Sequence, residues 1–474
     1  MPAAKTVQIL HLWRLRPRER RSLLIIGDVA MGFLALLIAL IFWARADTTM
    51  DFSLEFLSKT PGWFFVLPLI WPFLMASTYE EHRARSLEQT LRAVALAAII
   101  GMGLYMFIYF TSEPKSLPRR GVLVFVLAVS VLELIWRFLY IKIFTAPRFM
   151  RRVLVVGGGE TGKIILRILN ELRTRPFIVA GIIDDDPQKI GTIIESHAVL
   201  CGSDNLLETI LEHNITDLIV AISGQMQGNM FQALLDAQEM GVDIIRMPVS
   251  YEELLNRVPI RYLEADWILR SFVDEARVNA FYELAKRFLD IIGGMAGVLM
   301  LLIMLPFVAL AIILDSGQPI FYTQVRMGKG GQPYYIIKFR TMRQDAEPDG
   351  QPQWAEENDR RATRVGRLLR KTHLDEFPQF INVLRGEMSL VGPRAERPEL
   401  VQWFQQHVPF YRARLLVKPG ITGWAQVNQE YAATIDETIE KLEYDLYYIK
   451  HRSLLMDIRV LLRTPNMVFG FRGR

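Results

Sequence analysis

The sequence predicts a membrane protein of mixed class, α together with α/β. A four-helix transmembrane bundle (1–150) leads into a Rossmann-like accessory domain (151–250) and a linker (251–281). A last domain (282–474) begins with a re-entrant membrane helix. Three observations predict this order. Four apolar stretches fill the first third of the 474 residues. Short β-branched runs then alternate with helical ones. A further apolar block, about 291–314, is interrupted by Pro306.

The four stretches are about 23–44, 62–78, 90–111 and 121–144. Each approaches the roughly 20 residues that a helix needs to cross a bilayer. The second is the weakest, being short and interrupted by Pro68 and Pro72. Basic residues set the orientation. Arg14, Arg16, Arg18, Arg20 and Arg21 precede the first stretch, whereas the loop after it carries Asp47, Asp51 and Glu55. Arg83, Arg85 and Arg92 follow the second stretch, and Arg148, Arg151 and Arg152 follow the fourth. This bias puts the N-terminus and everything after the fourth stretch in the cytoplasm. Lys115, Arg119 and Arg120 disagree, because they would then lie outside. The basic N-terminus runs into a long apolar segment without a clear small-residue cleavage site, so no cleaved leader is expected.

Composition agrees with that frame. The hydrophobic fraction of 51% is high for a soluble protein and is concentrated in blocks. A net charge of +5 suits an anionic partner, lipid headgroups or phosphates, and does not call for nucleic acid. Cys201 is the single cysteine, which excludes an intrachain disulfide.

From Val153 the pattern changes. The runs 153–156, 178–184, 217–223 and 242–247 predict buried parallel strands, with crossover helices over 162–173, 204–213 and 228–240. The first strand is followed by Gly157-Gly158-Gly159-Glu160-Thr161-Gly162, a GxGxxG turn, and Asp184 stands where a ribose-binding acid would. Gly157, Gly159, Gly162 and Asp184 are therefore candidate nucleotide contacts. The alternative is glycines kept for tight packing with no ligand. The unit also ends without the second half that completes an NAD site.

Residues 251–281 carry mixed signals and are assigned as linker. The block that follows has Lys286 and Arg287 on one flank and Arg326 and Lys329 on the other, so charge gives no direction of crossing. A fifth spanning helix is one reading. A helix that bends at Pro306 and returns to the same face is the other, since an internal proline removes a backbone hydrogen bond. Beyond it, 321–342 predicts two strands around a glycine turn. Val365, Leu368 and Leu369 recur at helical spacing beside Arg364, Arg367 and Arg370. That pattern fits a helix in the membrane interface, or equally a core-facing helix with solvated arginines. A helix over 435–451 and a return to the interface over 456–471 complete the domain.

Within this domain Asp375 and Glu376 stand just before Pro378, at the start of a helix expected to stop near Gly386. Arg364, Arg367, Arg370, Lys371, Arg385 and Arg394 surround them in sequence. Two acids in a field of cations suit a phosphorylated, metal-bound substrate, with one carboxylate as nucleophile or base. Ordinary ion pairs on a capped surface helix are the competing reading. His373 has no partner at metal-ligand spacing and is taken as structural.

The runs FRTM (339–342), LDEFPQFINVLRGEMSLVGPR (374–394) and KPGITGWAQV (418–427), in this order, resemble the bacterial polyprenyl-phosphate sugar phosphotransferases. These are monotopic phosphoglycosyl transferases that begin surface polysaccharide assembly (exopolysaccharide, capsule, O-antigen). The resemblance covers roughly 282–474, and the longer architecture is similar to the large members, the undecaprenyl-phosphate glucose and galactose phosphotransferases. It implies transfer of a hexose-1-phosphate from a UDP-sugar to polyprenyl phosphate, with Asp375 as nucleophile, a covalent aspartyl phosphosugar and release of UMP. It implies Glu376 as the partner acting on metal or proton, and Asp375 and Glu376 as the protein ligands of Mg²⁺. Lys338, Arg370 and Arg394 match basic positions near the phosphates, and Lys418, Gly420 and Trp424 match the active-site wall. A buried tryptophan serving only packing stays open. The family's re-entrant helix usually has serine before its proline, whereas Leu305 stands here.

The same resemblance implies a catalytic domain on the cytoplasmic face of the bacterial inner membrane, with the α/β unit as accessory. A homodimer is expected from the size of the bundle. Two rivals remain at this point. A membrane-attached nucleotide-sugar dehydratase or epimerase needs a Tyr-xxx-Lys pair; Tyr282 with Lys286 and Tyr334 with Lys338 match, but neither lies in the α/β unit. A non-catalytic scaffold of polysaccharide assembly has no use for the Asp375–Glu376 pair.

Overall fold

The computed structural model describes residues 17–46, 52–79, 84, 86–111, 119–144, 150–172, 177–262, 280–343, 361–429 and 434–469. Expectations resting on Arg14, Arg16, Arg83, Arg85, Lys115 and Arg148, and on 263–279 of the linker, lie outside the described residues. The chain falls into two compact units, Met1–Ser250 and Tyr251–Arg474.

The first unit opens with helices α1 (Pro17–Ala46), α2 (Leu67–Leu74), α3 (Leu87–Thr111) and α4 (Arg119–Phe144). Glu19–Arg45 and Gly121–Ile143 are long and apolar enough to cross a membrane. The second predicted stretch differs. It folds as a 3₁₀ turn, Gly62–Val66, and the 8-residue α2, with Pro68 at its start and Pro72 inside it. Two missing N–H groups so close together cannot sustain a long ladder. The whole helical segment Gly62–Leu74, 5 residues of 3₁₀ turn and 8 of α-helix, rises only about 22 Å, against a hydrocarbon layer of about 30 Å. Among the described residues the four-helix expectation is thereby corrected to three long helices with short ones, Leu54–Lys59 and Leu67–Leu74, between them.

Leu24, Ala39, Phe64, Trp71, Phe125 and Val129 form the core between these helices. A buried ion pair crosses it: Arg137 Nε donates to Asp28 Oδ1 at 3.2 Å, and the Tyr79 hydroxyl donates to Asp28 Oδ2 at 2.7 Å. Both charged side chains are fully buried. Removing either partner alone would leave an uncompensated charge, a loss of roughly 3–5 kcal/mol.

The α/β part follows the sequence pattern. Strands β1 (Arg151–Val156), β2 (Phe177–Ile183), β5 (Asp217–Val220) and β6 (Asp243–Arg246) pair in parallel. Helices α5 (Glu160–Glu171), α6 (Leu206–His213) and α7 (Gly228–Glu239) connect them. Two further strands, β3 (Ile193–Ile194) and β4 (His197–Cys201), extend the sheet to the order β3-β4-β2-β1-β5-β6. They escape a periodicity search because β3 is two residues long and joins β4 through the left-handed pair Glu195 and Ser196.

The second unit begins earlier than the sequence suggests. Within the assigned linker, Val258 and Ile260 are buried in the same core as Trp424, Leu446 and Ile449. The Tyr251 hydroxyl donates to Glu443 Oε2 at 3.0 Å. Residues 251–262 are therefore part of this fold; an apolar pair flanking Pro259 is too short to give a periodic signal.

Helix α8 (Ala280–Ser316) runs continuously through Pro306. Its packed face recurs at helical spacing through Asp290, Gly294, Gly297, Leu301 and Ile312. Gly297 is required there, since a Cβ would fall 2.2 Å from the Phe380 ring. Leu284, Phe288, Leu299, Leu302, Ile303, Phe307, Leu310 and Leu314 are exposed. Both ends of α8 are tied to the rest of the unit. At the N-terminal end Lys286 Nζ donates to Asp457 Oδ2 at 3.1 Å, and Arg287 donates to the Val383 and Leu384 carbonyls, each at 2.8 Å. At the other end Asp315 accepts from Val365 N at 2.8 Å, and Arg340 Nη2 donates to the Ser316 carbonyl at 2.8 Å.

The remaining elements frame a small domain. β7 (Phe321–Met327) and β8 (Pro333–Phe339) form the expected antiparallel pair. They are followed by α9 (Arg364–Lys371), α10 (Gln379–Arg385) and β9 (Ser389–Val391). Next come α11 (Pro398–His407) and β10 (Gly420–Thr422), which pairs with β9 in parallel. The short α12 (Trp424–Asn428) and the helices α13 (Ile435–His451) and α14 (Leu454–Phe469) close the unit.

Candidate active site

The Asp375–Glu376 pair lies on one turn of 3₁₀ helix, Leu374–Glu376, entered through His373 at φ 55°. The expected helix starts later: Pro378 caps α10, and Gly386 at φ 82° ends it. The chain is steered into this turn from the other side by α9. The Thr363 hydroxyl accepts from Gly366 N at 2.9 Å and caps the helix. Gly366 permits the approach of α9 to the strand end, because a Cβ there would fall 2.0 Å from the Thr341 carbonyl oxygen. Arg370 Nε then donates to Thr341 Oγ1 at 3.0 Å.

Both acids are buried, yet their surroundings differ. Glu376 Oε1 accepts from Lys338 Nζ at 2.7 Å and from Arg394 Nη2 at 2.7 Å. Burial would raise its pKa, but Arg394 and Lys338 outweigh burial and hold the carboxyl well below the usual carboxylate range. Asp375 forms no hydrogen bond through its carboxylate among the described residues. Burial pushes its carboxyl up to about 6, against the lowering pull of Lys338 and with Glu376 adding to the rise. One acid is thus locked as an anion by two cations, and its neighbour is left unbonded with raised basicity.

Arg394 reaches Glu376 because the β9–β10 pairing fixes the loop after β9. Gly420 is needed there, since a Cβ would fall 2.1 Å from Gly392 N. A small pocket lies beside Arg394 and is also lined by Met327, Glu396, Arg414 and Pro419.

The structure brings together Asp375, Glu376, Lys338 and Arg394, with Arg370 close enough to lower the Asp375 pKa. Gly420 supports the loop that carries Arg394. Lys418 sits elsewhere; its charged neighbours are Arg287, Asp290, Lys329 and Glu283, and burial lowers its pKa. Trp424 is a core residue whose indole N–H donates to the Asn256 carbonyl at 3.0 Å, with Arg463 over its ring. Its packing role, left open by the sequence, is the one observed. The His373 carbonyl accepts from Glu376 N at 3.3 Å, but its ring bonds neither carboxylate; Nε2 is buried without a partner, and burial lowers its pKa. The sequence reading gave no role to Thr341, which lies in the FRTM run and holds Arg370, and it missed the buried arginines beneath the Arg394 loop, which have no local signal.

For a metal, the donor set is small. Among the described residues no group of three His, Cys, Asp or Glu side chains gathers. Asp375 is unbonded, and Glu376 Oε2 has one long contact, 3.4 Å from Arg394 Nη1. Two carboxylates fit a cation that takes most of its ligands from substrate phosphates and water.

The glycine turn in the α/β part is arranged differently. Gly157 adopts φ 106°. Asp184 Oδ2 accepts from Gly158 N at 2.7 Å and from Lys189 Nζ at 3.0 Å, and Oδ1 accepts from Asp186 N at 2.9 Å. Burial would raise its pKa, but these backbone bonds and Lys189 hold it below the ordinary value. A Cβ on Gly162 would fall 1.9 Å from the Gly157 carbonyl oxygen, so this glycine serves close packing. Gly159 faces open space.

Residues 281–471 match a family described as bacterial sugar transferase, and residues 74–248 match one described as CoA-binding domain. A UDP-N-acetylgalactosamine-undecaprenyl-phosphate N-acetylgalactosaminephosphotransferase of Aeromonas hydrophila is 40% identical over 232 residues, covering 49% of this chain and 55% of that protein. A UDP-glucose:undecaprenyl-phosphate glucose-1-phosphate transferase of Caulobacter vibrioides is 41% identical over 193 residues, covering 39% of this chain and 70% of that protein. One of the same description from Xanthomonas campestris is 29% identical, covering 68% of this chain and 67% of that protein. The chain thus spans about half the length of the Aeromonas relative and more of the other two.

Proposed function

The chain belongs to the bacterial sugar transferase family, and from that premise we propose that it is a phosphoglycosyl transferase. It moves a hexose-1-phosphate from a UDP-sugar to a polyprenyl phosphate and releases UMP, as an early membrane step of surface polysaccharide synthesis. The single observation that carries this reading is the contrast inside the dyad. Asp375 is a buried, unbonded carboxylate raised to about 6, next to a Glu376 clamped by Lys338 and Arg394.

In the first step an Asp375 carboxylate oxygen bonds to the sugar-bearing phosphorus, and the bond from that phosphorus to the UMP oxygen breaks. UMP leaves with the electron pair. In the second step a phosphate oxygen of the polyprenyl phosphate bonds to the same phosphorus, the acyl phosphate bond breaks, and Asp375 returns as a carboxylate. Lys338 and Arg394 hold Glu376 charged and bring positive charge to the reacting phosphates, an arrangement worth several kcal/mol at a developing charge. Mg²⁺ held by Asp375 and Glu376 would neutralise the diphosphate further. The raised Asp375 pKa makes it a better nucleophile than an exposed carboxylate while leaving it mostly ionised near neutrality.

The catalytic face is assigned to the cytoplasmic side of the bacterial inner membrane, where UDP-sugars are. Supporting a re-entrant α8 is the tethering of both its ends to one small domain, with an apolar face left over for lipid. Cysteine reporters near Lys286 and Arg326 in a Cys201→Ala background should both resist an impermeant thiol reagent in intact cells. Labelling of the second site alone would indicate a spanning helix.

A dehydratase or epimerase reading is disfavoured by its own residues. Tyr282 and Lys286 both bond Asp457, and Lys338 is engaged with Glu376. The test is UMP release from detergent-purified protein supplied with polyprenyl phosphate and Mg²⁺. UDP-glucose and UDP-galactose are the first donors to try, with UDP-N-acetylgalactosamine added because a relative is named for it. No UMP from any donor would reject the proposal.

A further inference from the structure

We infer that Arg414, buried beneath the loop Pro393–Glu396, is a positioning residue that aims Arg394 at Glu376; this rests on the transferase reading. The loop has four consecutive carbonyls, and each is gripped by its own donor, two of them from β7, one from β10 and one from Arg414. Gly420 N donates to the Pro393 carbonyl at 2.9 Å, and Arg414 Nη2 donates to the Arg394 carbonyl at 3.0 Å. Arg326 Nη1 donates to the Ala395 carbonyl at 3.2 Å, and Met327 N donates to the Glu396 carbonyl at 3.0 Å. A loop held at every peptide has little freedom left, so the origin of the Arg394 side chain is fixed before any ligand arrives.

Arg414 is the hub of that hold. Its side chain is 4% exposed. Besides the Arg394 carbonyl it donates to Asp445 Oδ2 at 2.8 Å and to the Tyr411 hydroxyl at 2.6 Å. Glu396 lies 3.6 Å away and is itself bound by Lys441 at 2.8 Å. The charge is therefore balanced by Asp445 and Glu396, and the guanidinium plane is set by the tyrosine. A planar fork reaching three acceptors in fixed directions is a task for which lysine, a point charge on a flexible stem, is no substitute. Arg414 makes no contact with Glu376 among the described residues, so its effect on the reaction passes through the main chain of Arg394.

The experiment is a double-mutant cycle on UMP release from the full-length protein. Arg414→Lys keeps the charge and is expected to lower kcat by roughly 10² through a misplaced Arg394, with KM changed much less. In an Arg394→Ala background the same change should cost less than about threefold, because nothing remains to be aimed. A cost that stays undiminished in that background, or no cost in the parent, overturns the inference. If Arg414→Lys does not fold, Tyr411→Phe takes its place, with a loss of about tenfold expected and the same collapse in the cycle. Should the parent itself release no UMP, the transferase reading fails, and amide exchange of the 390–397 peptide decides the positioning claim by itself. Arg414→Lys should then speed exchange there by about tenfold or more; unchanged exchange would overturn it.

Discussion

Two turns in this chain each hold an acid against a lysine and differ as chemistry. Beside the Gly157–Gly162 turn Asp184 accepts from Lys189, and on the Leu374–Glu376 turn Glu376 accepts from Lys338. In the first, the acid is spent on the chain: Asp184 takes Gly158 N, Asp186 N and Lys189, and Gly162 is filled by the Gly157 carbonyl. In the second, Glu376 is likewise spent on Lys338 and Arg394, but the fold adds a second carboxylate and leaves it unbonded. Burying an unpaired acid costs stability. The glycine turn balances its polar groups and holds itself shut; the dyad turn keeps one group in deficit, where a phosphorus can meet it.

The largest expected effect breaks the dyad side of this comparison. Asp375→Asn removes charge and little volume, and UMP release should fall by at least ~10³ in a protein that still melts cooperatively. Near-normal turnover would move the nucleophile elsewhere.

Acid titration is the next largest effect and separates function from fold. With the Asp375 carboxyl of the metal-free protein raised to about 6, kcat/KM should fall on the acid side, from about pH 6 or, with Mg²⁺ bound beside the carboxylate, from a lower pH. The stability sign is opposite. A carboxyl with a raised folded pKa favours unfolding while charged, so this strain is relieved as pH falls from about 6 toward its unfolded value near 3.9. Glu376, held low, keeps its contribution above its unfolded pKa of about 4.3 and loses it only at lower pH. Between about pH 6 and 4.5, activity should drop without a fall in melting temperature from this pair. Parallel loss of both would mean that the limb reports unfolding.

The glycine turn should respond in the reverse manner. Gly162→Ala forces a Cβ into the Gly157 carbonyl and should cost about 1–3 kcal/mol in thermal or denaturant unfolding, with UMP release per folded molecule unchanged. The smallest effect is expected for Gly159→Val, where open space receives the side chain. At most a several-fold change in UMP release is expected. Complete loss of activity in a well-folded Gly159→Val protein, or stoichiometric NAD(H) bound to the parent, would show that the first turn also serves the reaction.

How much of this could be read from the sequence depends on range. The parallel strands and crossover helices announce themselves because β-branched runs and helical spacing are local, and Gly386 as a helix stop is equally local. Asp375, Glu376, Lys338 and Arg394 come together as expected, since three motifs fix their order. Arg137 and Asp28 were invisible: they lie on different helices 109 residues apart, and only the packing of α1 on α4 pairs them. Arg414 and Glu396 escaped because each is one charge among several in its own segment, and only the fold brings the two within 3.6 Å. Val258 and Ile260 were hidden in a short segment whose partner, α13, lies far along the chain. Trp424 followed a catalytic motif into the core, where Asn256 claims its N–H.

The central claim is that Asp375 carries the phosphosugar between donor and lipid. The direct measurement is rapid acid quench of the protein with UDP-sugar and no lipid acceptor, followed by peptide mass spectrometry. The account predicts a stoichiometric burst of UMP and a hexose-phosphate adduct on the peptide containing Asp375. Both should be absent in Asp375→Asn, and the adduct should be discharged when polyprenyl phosphate is added. UMP formed only when the lipid is present, with no adduct trapped at any time, would contradict it and indicate direct transfer.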